Sequence, residues 1–462
     1  MSRGGTLALT VAVSLVGCTE ATPPAPDGGS GGAAGGQMMF VPYRPSTDGG
    51  TDSGGGAGSG GRSDAGAETA GAGGAPGTIP ATMLGLLPVA LSFDGSVVGG
   101  TDELTGQHAM MWTSKGARLL RSLAASHDRS QVTFVSPTGI VYGFTSNSIT
   151  GERQAALWSP DAELPSGLVS SGYRGDCSFV PTAGSSVAVI AATCTHASGV
   201  KEAHAVISGL PVGLGFLPGD TESEALLVSG DGSTIAGASY DKATKSQHAF
   251  LWTQHTGMTE LPPPSDGDFA LPRAMSSDGS VVAYDAWLGT PTFPGVAHPM
   301  MKRAFVLVKG TTVSIDGCAT HDSRAVAMSA RTGALLGACV ATPDATPPDE
   351  LPFVAAVLPH GQPLVVPNAL LRVTPVSISA AGEIVVGLGH PMGAPPAVVV
   401  WRFGAAAPAP MMMMTMMMSA MPAAPAVQPV DVSIAALCEN GTTLVGARTD
   451  ADGSRHGWLI HP

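Results

Sequence analysis

The densest group of potential metal ligands in this sequence is a run of eight methionines near residue 415. Thioether sulfur is a soft ligand that favours Cu(I), so the run allows a copper site. A low-complexity loop also expands easily, and flexible methionines form an adaptable apolar surface, which is the favoured interpretation. No other cofactor is predicted. The methionines are Met411, Met412, Met413, Met414, Met416, Met417, Met418 and Met421.

Four histidines recur at the start of one short motif: His108, His204, His248 and His456. A metal site needs three or four ligands that converge on one point. Because these histidines take equivalent places in separate repeats, we expect them to lie far apart and to make structural hydrogen bonds. Phosphate-loop, calcium-loop and zinc-peptidase motifs are absent from the sequence.

Five cysteines follow Cys18 in the chain. Cys177 with Cys194, and Cys318 with Cys339, are close enough in sequence to join neighbouring strands by disulfides. Cys438 is then left as a free thiol. One sequence does not fix the connectivity, so other pairings stay open.

The N-terminus has the pattern of an export signal, with Arg3 followed by an apolar run and then Leu15-Val16-Gly17-Cys18. This segment resembles the lipobox of bacterial lipoproteins. The resemblance implies that residues 1–17 are a signal peptide and that Cys18 carries the lipid that binds the membrane. An ordinary secretory peptide with an incidental cysteine is the alternative. A lipid anchor places the protein at the cell envelope, and Thr19 after the cysteine favours the outer membrane or cell surface.

Residues 18–78 are rich in Gly, Ala, Ser and Pro and have almost no core-forming side chains. Such a composition predicts a disordered tether, because too little apolar surface is available to offset the entropy of ordering. The net charge is −13, and only 12% of residues are charged. A nucleic-acid partner is excluded on this basis, since phosphate binding requires clustered Lys and Arg.

The remainder of the chain is built from eight copies of one unit. Each copy has a short apolar run, a turn that contains glycine, and a β-branched run, and about 20 residues later a second apolar signature such as HAFLW. Four short strands per unit, repeated every 40 to 50 residues or so, are typical of propeller blades. The predicted turn glycines are Gly95, Gly139, Gly184, Gly232, Gly279, Gly333, Gly382 and Gly441.

The sequence therefore predicts an all-β protein, a β-propeller of eight four-stranded blades over residues 79–462, with a Met/Pro/Ala-rich insertion at 402–428. The last unit stops after its third strand, and Met83-Leu84-Gly85-Leu86-Leu87-Pro88 matches the fourth-strand pattern. We expect this segment to complete the last blade and close the ring, because an open array leaves strand edges unpaired. An open solenoid and two separate sandwiches are the alternatives.

Three motifs also carry a family resemblance: Leu214-Gly215-Phe216-Leu217-Pro218, His248-Ala249-Phe250 and Ser276-Ser277-Asp278-Gly279-Ser280. They resemble the HAF-repeat family of extracellular repeats, over about residues 84–462. The resemblance implies a secreted or surface-exposed propeller-like domain and no catalytic residue.

The predicted function is a non-catalytic binding or scaffold module for a protein or carbohydrate partner, with recognition on the long loops near 287–302, 341–352 and 402–428. The rival is a hydrolase or lyase with its site in the central channel. An enzyme should place non-repeating ionisable residues on adjacent inner strands, whereas those strands read mostly as Ala, Val, Ser and Gly. A copper-binding envelope protein that uses the methionine run is the third hypothesis.

Overall fold

The computed structural model consists of β-strands, and no helix occurs among the residues it describes. A membrane-spanning helix is accordingly not found in that part of the chain. The described residues are 81–169, 177–244, 246–262, 269–288, 301–315, 322–342, 349–355, 362–364, 370–391, 396–402, 409–412 and 429–461.

The strands form eight antiparallel units of four, which confirms the predicted blades. Blades 1 to 4 contain β2 Leu87–Leu91, β3 Val98–Thr101, β4 Ala109–Thr113, β5 Gly116–Leu119; β6 Arg129–Val135, β7 Val141–Ser146, β8 Arg153–Trp158, β9 Ser166–Gly167; β10 Cys177–Gly184, β11 Val189–His196, β12 Lys201–Ile207, β13 Leu210–Gly215; β14 Glu222–Val228, β15 Thr234–Asp241, β16 Ser246–Thr253 and β17 Gly257–Glu260.

Blades 5 to 8 follow in the same order along the chain. They contain β18 Phe269–Met275, β19 Val281–Leu288, β20 Met301–Val308, β21 Thr311–Ser314; β22 Asp322–Met328, β23 Leu335–Thr342, β24 Asp349–Ala355, β25 Gln362–Pro363; β26 Leu370–Ile378, β27 Ile384–Pro391, β28 Ala397–Arg402, β29 Ala409–Met412; β30 Pro429–Leu437, β31 Leu444–Asp450 and β32 Arg455–Ile460, with β1 Thr82–Met83 as the fourth strand of blade 8.

The ring is closed by the start of the domain. Thr82 and Met83 pair antiparallel with Leu459 and Trp458 of the last strand, which confirms closure by the N-terminal segment. The predicted bounds were wrong: of Met83–Pro88 only Met83 lies in this strand, whereas Leu87 and Pro88 belong to β2 of blade 1. The first strand of each blade contacts the first strand of the next, and β2 contacts β30 in the same way across the seam. These first strands form the innermost layer and surround the channel.

The hydrophobic core is divided among the blade interfaces. Eight buried clusters occur in the described part of the chain, one between each pair of neighbouring blades, including blades 8 and 1. Trp158, Trp401 and Trp458 of the third strands are fully buried in three of them. Because a single sheet has two apolar faces to cover, its stability depends on both neighbours.

A tight turn joins the first two strands of each blade, and the first residue of the turn has a buried hydroxyl or thiol group. In blade 5, Ser276 Oγ donates to Asp278 Oδ1 at 2.7 Å and accepts from the Val281 amide at 3.0 Å. Although burial opposes the shift, hydrogen bonds from Ser276 and Ser280 hold the pKa of Asp278 below its ordinary value. In blade 8 the free, buried Cys438 occupies the serine position, and its Sγ accepts from the Thr443 amide at 2.9 Å.

The turns of blades 3 to 8 are also hydrogen-bonded, each to the turn of the next blade in this series. Gly279 has a φ of +67°, and a Cβ at this position would lie 2.6 Å from Thr234 Oγ1 of the preceding blade. Glycine is thus required both by the backbone and by the neighbour. The bonds join Ser186 N to Gly230 O, Asp231 N to Ser277 O, Ser277 N to Ala330 O, Arg331 N to Ala380 O, and Ala380 N to Glu439 O, at 2.8 to 3.1 Å.

One predicted turn glycine is wrong. Gly184 lies inside β10, and the residue with positive φ in the turn of blade 3 is Ala188, at +60°. The serine that opens this turn is Ser185, so the residue three positions later takes the left-handed conformation, as in most of the other turns. Gly184 instead meets the Phe134 ring of blade 2, where a Cβ would approach Cε2 to 2.5 Å.

Candidate functional site

The two ends of the central channel differ in size and chemistry. At the turn end, apolar and small side chains together with Glu439 surround a space of about 60 Å³. Beyond Leu227, toward the other end, the channel widens into a cavity of about 550 Å³, lined mainly by first-strand residues of blades 3 to 8. This volume lies within the range of small-ligand sites. We refer to this space as the charged cavity, because Glu224, Arg273, Asp285, Lys302 and Arg324 line it.

A β-bulge in the first strand positions Arg273. The register of all eight first strands skips one residue at the same place. A bulge re-aims the side chain of the extra residue, and in blade 5 that residue is Arg273, between Pro272 and Ala274. The other seven blades have an uncharged residue there: Val89, Thr133, Thr182, Leu226, Val326, Val376 and Ala435.

Two further charges flank Arg273 on the neighbouring first strands. Glu224 of blade 4 and Arg324 of blade 6 each lie two residues before the bulge. Both line the charged cavity together with Arg273. Three adjacent inner strands therefore contribute three non-repeated ionisable side chains to one space.

Asp285 on β19 connects these groups. It is fully buried, and its Oδ2 accepts from Arg273 Nε at 2.8 Å and lies 3.0 Å from Lys302 Nζ. Its Oδ1 accepts from the Ala325 amide of blade 6 at 2.8 Å. Lys302 also lies over the Trp287 ring, at 5.2 Å from its centroid. One carboxylate thus fixes Arg273 and Lys302 beside the backbone next to Arg324.

The second carboxylate, Glu224, is also paired on both oxygens. Lys201 Nζ contacts Oε1, and the Tyr240 hydroxyl donates to Oε2 at 3.2 Å. Burial, together with the adjacent Glu224 charge, raises the pKa of Tyr240, so the phenol keeps its proton and donates. Both acidic side chains of the charged cavity are therefore neutralised by partners that the fold supplies.

The sequence-based expectation for the inner strands is wrong in blades 4 to 6. Glu224, Arg273 and Arg324 are the non-repeating ionisable residues that these strands were expected to lack. Only strand register would have given a signal, because it shows where the repeat is broken. Asp285 lies on the second strand of blade 5 and pairs with Leu271, two residues before the bulge in the first strand. The residues that pair at the equivalent position in blades 4, 6 and 8 are alanines: Ala238, Ala338 and Ala447.

Glu439 is the ionisable residue at the narrow end of the channel. Burial raises its pKa to about 9, against the opposing charge of Arg331. Its Oε1 is buried and has no hydrogen-bond partner in the described part of the chain. The side chain is consequently protonated at neutral pH and adds no charge to this end.

The four recurring histidines lie in different blades, as predicted, but one is out of register. The reference position is the third-strand residue that pairs with the second strand next to the turn, which is Trp112, Val206, Trp252 or Ile460 in the four blades. His108, His248 and His456 lie four residues before this position, whereas His204 lies two residues before it. His248 Nδ1 lies 3.1 Å from buried Asp220, and His456 Nδ1 lies 3.3 Å from Glu103 across the ring seam. His204 Nδ1 lies 3.2 Å from the Glu202 carbonyl.

A disulfide joins Cys177 and Cys194 across β10 and β11. With His196 these cysteines form the one group of three potential metal ligands in the described residues, and the disulfide occupies two of them. Cys339 on β23 is also disulfide-bonded, whereas Cys318, its predicted partner, lies outside the described residues.

Several other predicted features also lie outside the described residues. These are Cys18 with the signal peptide, the tether up to residue 78, most of the three candidate loops, and the methionines after Met412. Met411 and Met412 belong to β29, which pairs with β28. Copper binding and lipid attachment stay predictions.

No family model and no curated protein matches the chain, so the HAF-repeat resemblance stays a prediction. The chain is similar to dipeptidyl peptidase 4 of Porphyromonas gingivalis, with a TM-score of 0.53 and 11% identity, over 82% of this chain but only 58% of that protein. It is also similar to the Dos1 propeller (TM-score 0.46, 12% identity, 83% of this chain and 95% of that one). A third similar structure is the β-propeller domain of the Trilobed protease from Pyrococcus furiosus (0.41, 8%, 82% and 94%).

Likeness at such low identity concerns the fold alone. With the strand order and the closed ring, it defines the class: the chain is an eight-bladed β-propeller. Within the ring, the repeat pattern is broken at the charged cavity, whose charged residues come from blades 4 to 6.

Proposed function

We propose that this protein is a non-catalytic lipoprotein of the cell envelope, anchored through Cys18, whose propeller binds a protein or carbohydrate partner. The observation that carries the binding role is the charged cavity, a space of about 550 Å³ in which the repeat pattern is broken by charged residues. Burial of the Asp285 carboxylate costs several kcal/mol of desolvation, against which it makes bonds to Arg273, Lys302 and the Ala325 amide at the edge of this cavity.

Binding is favoured over catalysis by the chemistry of the lining. Its described residues include no histidine, cysteine or serine, so they contain no Ser–His or Cys–His pair. A general acid or base must come within hydrogen-bond distance of the group that it protonates or deprotonates. Glu224 and Asp285 both already accept from cationic partners, and Tyr240 is held protonated.

The rival hypothesis, a hydrolase or lyase, gains its support from the same convergence of charges. The deciding experiment incubates the full mature chain with a panel of oligosaccharides and peptides, and measures both binding and product formation. Binding without turnover supports the module. Turnover that is lost in Glu224→Gln and kept in the exposed control Glu260→Gln would establish an enzyme instead.

The lipid anchor has a separate test. Cys18→Ser should release the protein from the membrane fraction, while Cys438→Ser, which changes the buried free thiol, should leave fractionation unchanged. Membrane association that persists in Cys18→Ser would contradict the anchor without affecting the binding role.

A further inference from the structure

We propose that the charged cavity recognises a carboxylate group of a small acidic ligand, with Arg273 as the principal contact. This inference rests on the proposed binding function and specifies its ligand class. The first argument is the distribution of charge. The chain as a whole is acidic, with 22 Lys and Arg against 35 Asp and Glu, yet Arg273, Lys302 and Arg324 line one cavity to which the described residues contribute two carboxylates.

The second argument is that both carboxylates are already engaged. Lys201, which lies outside the lining, pairs with Glu224, so this acid does not offset the cations of the cavity. Asp285 is shared between Arg273 and Lys302. Counted by formal charge, the described lining has three cations, Arg273, Lys302 and Arg324, against these two carboxylates, and an anionic ligand is the species that it favours.

The third argument is the geometry of Arg273. Its hydrogen bond to Asp285 uses Nε, and in the described structure its two terminal Nη groups make no further hydrogen bond. The side chain is 35% exposed, whereas Asp285 behind it is 1% exposed. A guanidinium held from behind in this way presents its planar tip to a ligand, and that tip matches the two oxygens of a carboxylate.

The surroundings favour an organic acid rather than a bare inorganic ion. Leu226, Leu271, Val326 and Val376 line the same cavity, with the hydroxyl-bearing Thr374 among them. Mainly apolar walls with a few placed polar groups are typical of sites for small organic ligands. The volume of about 550 Å³ also exceeds what one inorganic anion fills.

The test measures binding to the full mature chain by isothermal titration, with tricarballylate and glucuronate as probes. Their uncharged counterparts, tricarballyl triamide and glucose, are the matched controls, and sulfate and phosphate are measured in parallel. We expect at least one carboxylate to bind, its uncharged counterpart to bind at least about tenfold more weakly, and the affinity to fall as salt is raised.

Arg273→Met should reduce the affinity for that carboxylate at least about tenfold. Arg129→Met, which alters an exposed inner-strand arginine of blade 2 outside the lining, should leave it unchanged. Arg273→Lys keeps the charge without the fork and should give an intermediate loss. If Arg273→Met fails to fold, Arg273→Lys and Arg324→Met carry the comparison.

Three outcomes would overturn the inference: no binding of either carboxylate, equal binding of the uncharged counterparts, or sulfate and phosphate binding as tightly as any carboxylate. Loss of the carboxylate inference leaves the binding module intact if a neutral oligosaccharide or peptide from the panel still binds. Turnover in that panel contradicts the module itself, so the two failures are distinguishable.

Discussion

The two ends of the channel are built from the same eight strands but follow different rules. At the turn end every blade repeats a hydroxyl or thiol at the turn's first residue and a left-handed residue near its close. The turns of blades 3 to 8 also bond to each other in succession. At the other end, blades 4 to 6 have Glu224, Arg273 and Arg324 where the equivalent residues of other blades are uncharged. Repetition closes the ring, and departure from repetition makes the candidate site.

The two ends of the channel also differ in how a carboxylate charge is stabilised. Asp278, in the turn of blade 5, is exposed and accepts hydrogen bonds from Ser276 and Ser280 of the same turn, so its charge is satisfied within one blade. Asp285 is fully buried and bonds groups of blades 5 and 6 together. A charge satisfied locally is independent of its neighbours, whereas a shared one depends on the assembled ring.

The largest effect that we expect comes from Asp285→Ala. The change leaves Arg273 and Lys302 without their counter-charge and the Ala325 amide without an acceptor, so the free energy of unfolding should fall by about 3 to 4 kcal/mol. Asp278→Ala at the turn end should cost about 1 kcal/mol. Urea denaturation of both variants measures the difference, and equal losses would erase the distinction between the two ends.

Glu439 provides the next effect, and it depends on pH. The ordinary value of its carboxyl pKa is 4.5, and in the folded protein it is about 9. Between these values the unfolded chain releases the proton and the folded protein retains it, so the free energy of unfolding falls as pH rises, at up to about 1.4 kcal/mol per pH unit.

The free energy of unfolding of wild type should therefore fall by about 2 to 3 kcal/mol from pH 6 to pH 8, whereas that of Glu439→Gln should not show this fall. The measurement is the free energy of unfolding of both proteins at each pH. Glu260→Gln, at an exposed position, should follow wild type throughout. A Glu439→Gln profile parallel to that of wild type would mean that the carboxyl ionises normally.

Turn packing is tested by Gly279→Ala against Gly257→Ala. Both glycines have positive φ, but a Cβ at Gly257 meets nothing within 4 Å, whereas one at Gly279 meets Thr234 of the preceding blade. Gly257→Ala should cost about 1 kcal/mol from backbone strain, and Gly279→Ala about 1 kcal/mol more. Thermal unfolding of the pair gives the packing contribution, and identical losses would show that neighbouring turns do not constrain each other.

The smallest expected effect is a gain in stability. Ala188 has a φ of +60° in the turn of blade 3, so Ala188→Gly should relieve strain and stabilise the protein by about 0.5 to 1 kcal/mol. Ala381→Gly in the turn of blade 7, where φ is not positive, should instead be neutral or slightly destabilising. A lower melting temperature for Ala188→Gly would contradict the equivalence of the turns.

The turn motif and the repeat period predict most of the fold. The residues that favour a hairpin turn lie close together in sequence, so Ser276 and Gly279 are enough to predict the turn of blade 5. Closure by Thr82 and Met83 was predictable because the first residues supply the strand that the last unit lacks. The prediction that Gly184 is a turn glycine was wrong, because a glycine needed for packing against Phe134 looks the same in sequence as one needed for a turn.

The sequence by itself determined the class, the number of blades and the way the ring closes, because each depends on short-range patterns that repeat. Only the tertiary structure decided the site. Glu224 and Arg324 are 100 residues apart in the numbering of the chain. Taken separately, each has the sequence pattern of an ordinary charged residue on a strand. The bulge turns Arg273 into the channel, and the assembled ring places Asp285 behind it. Through-space neighbours of this kind follow from strand register and blade packing, which no local pattern encodes.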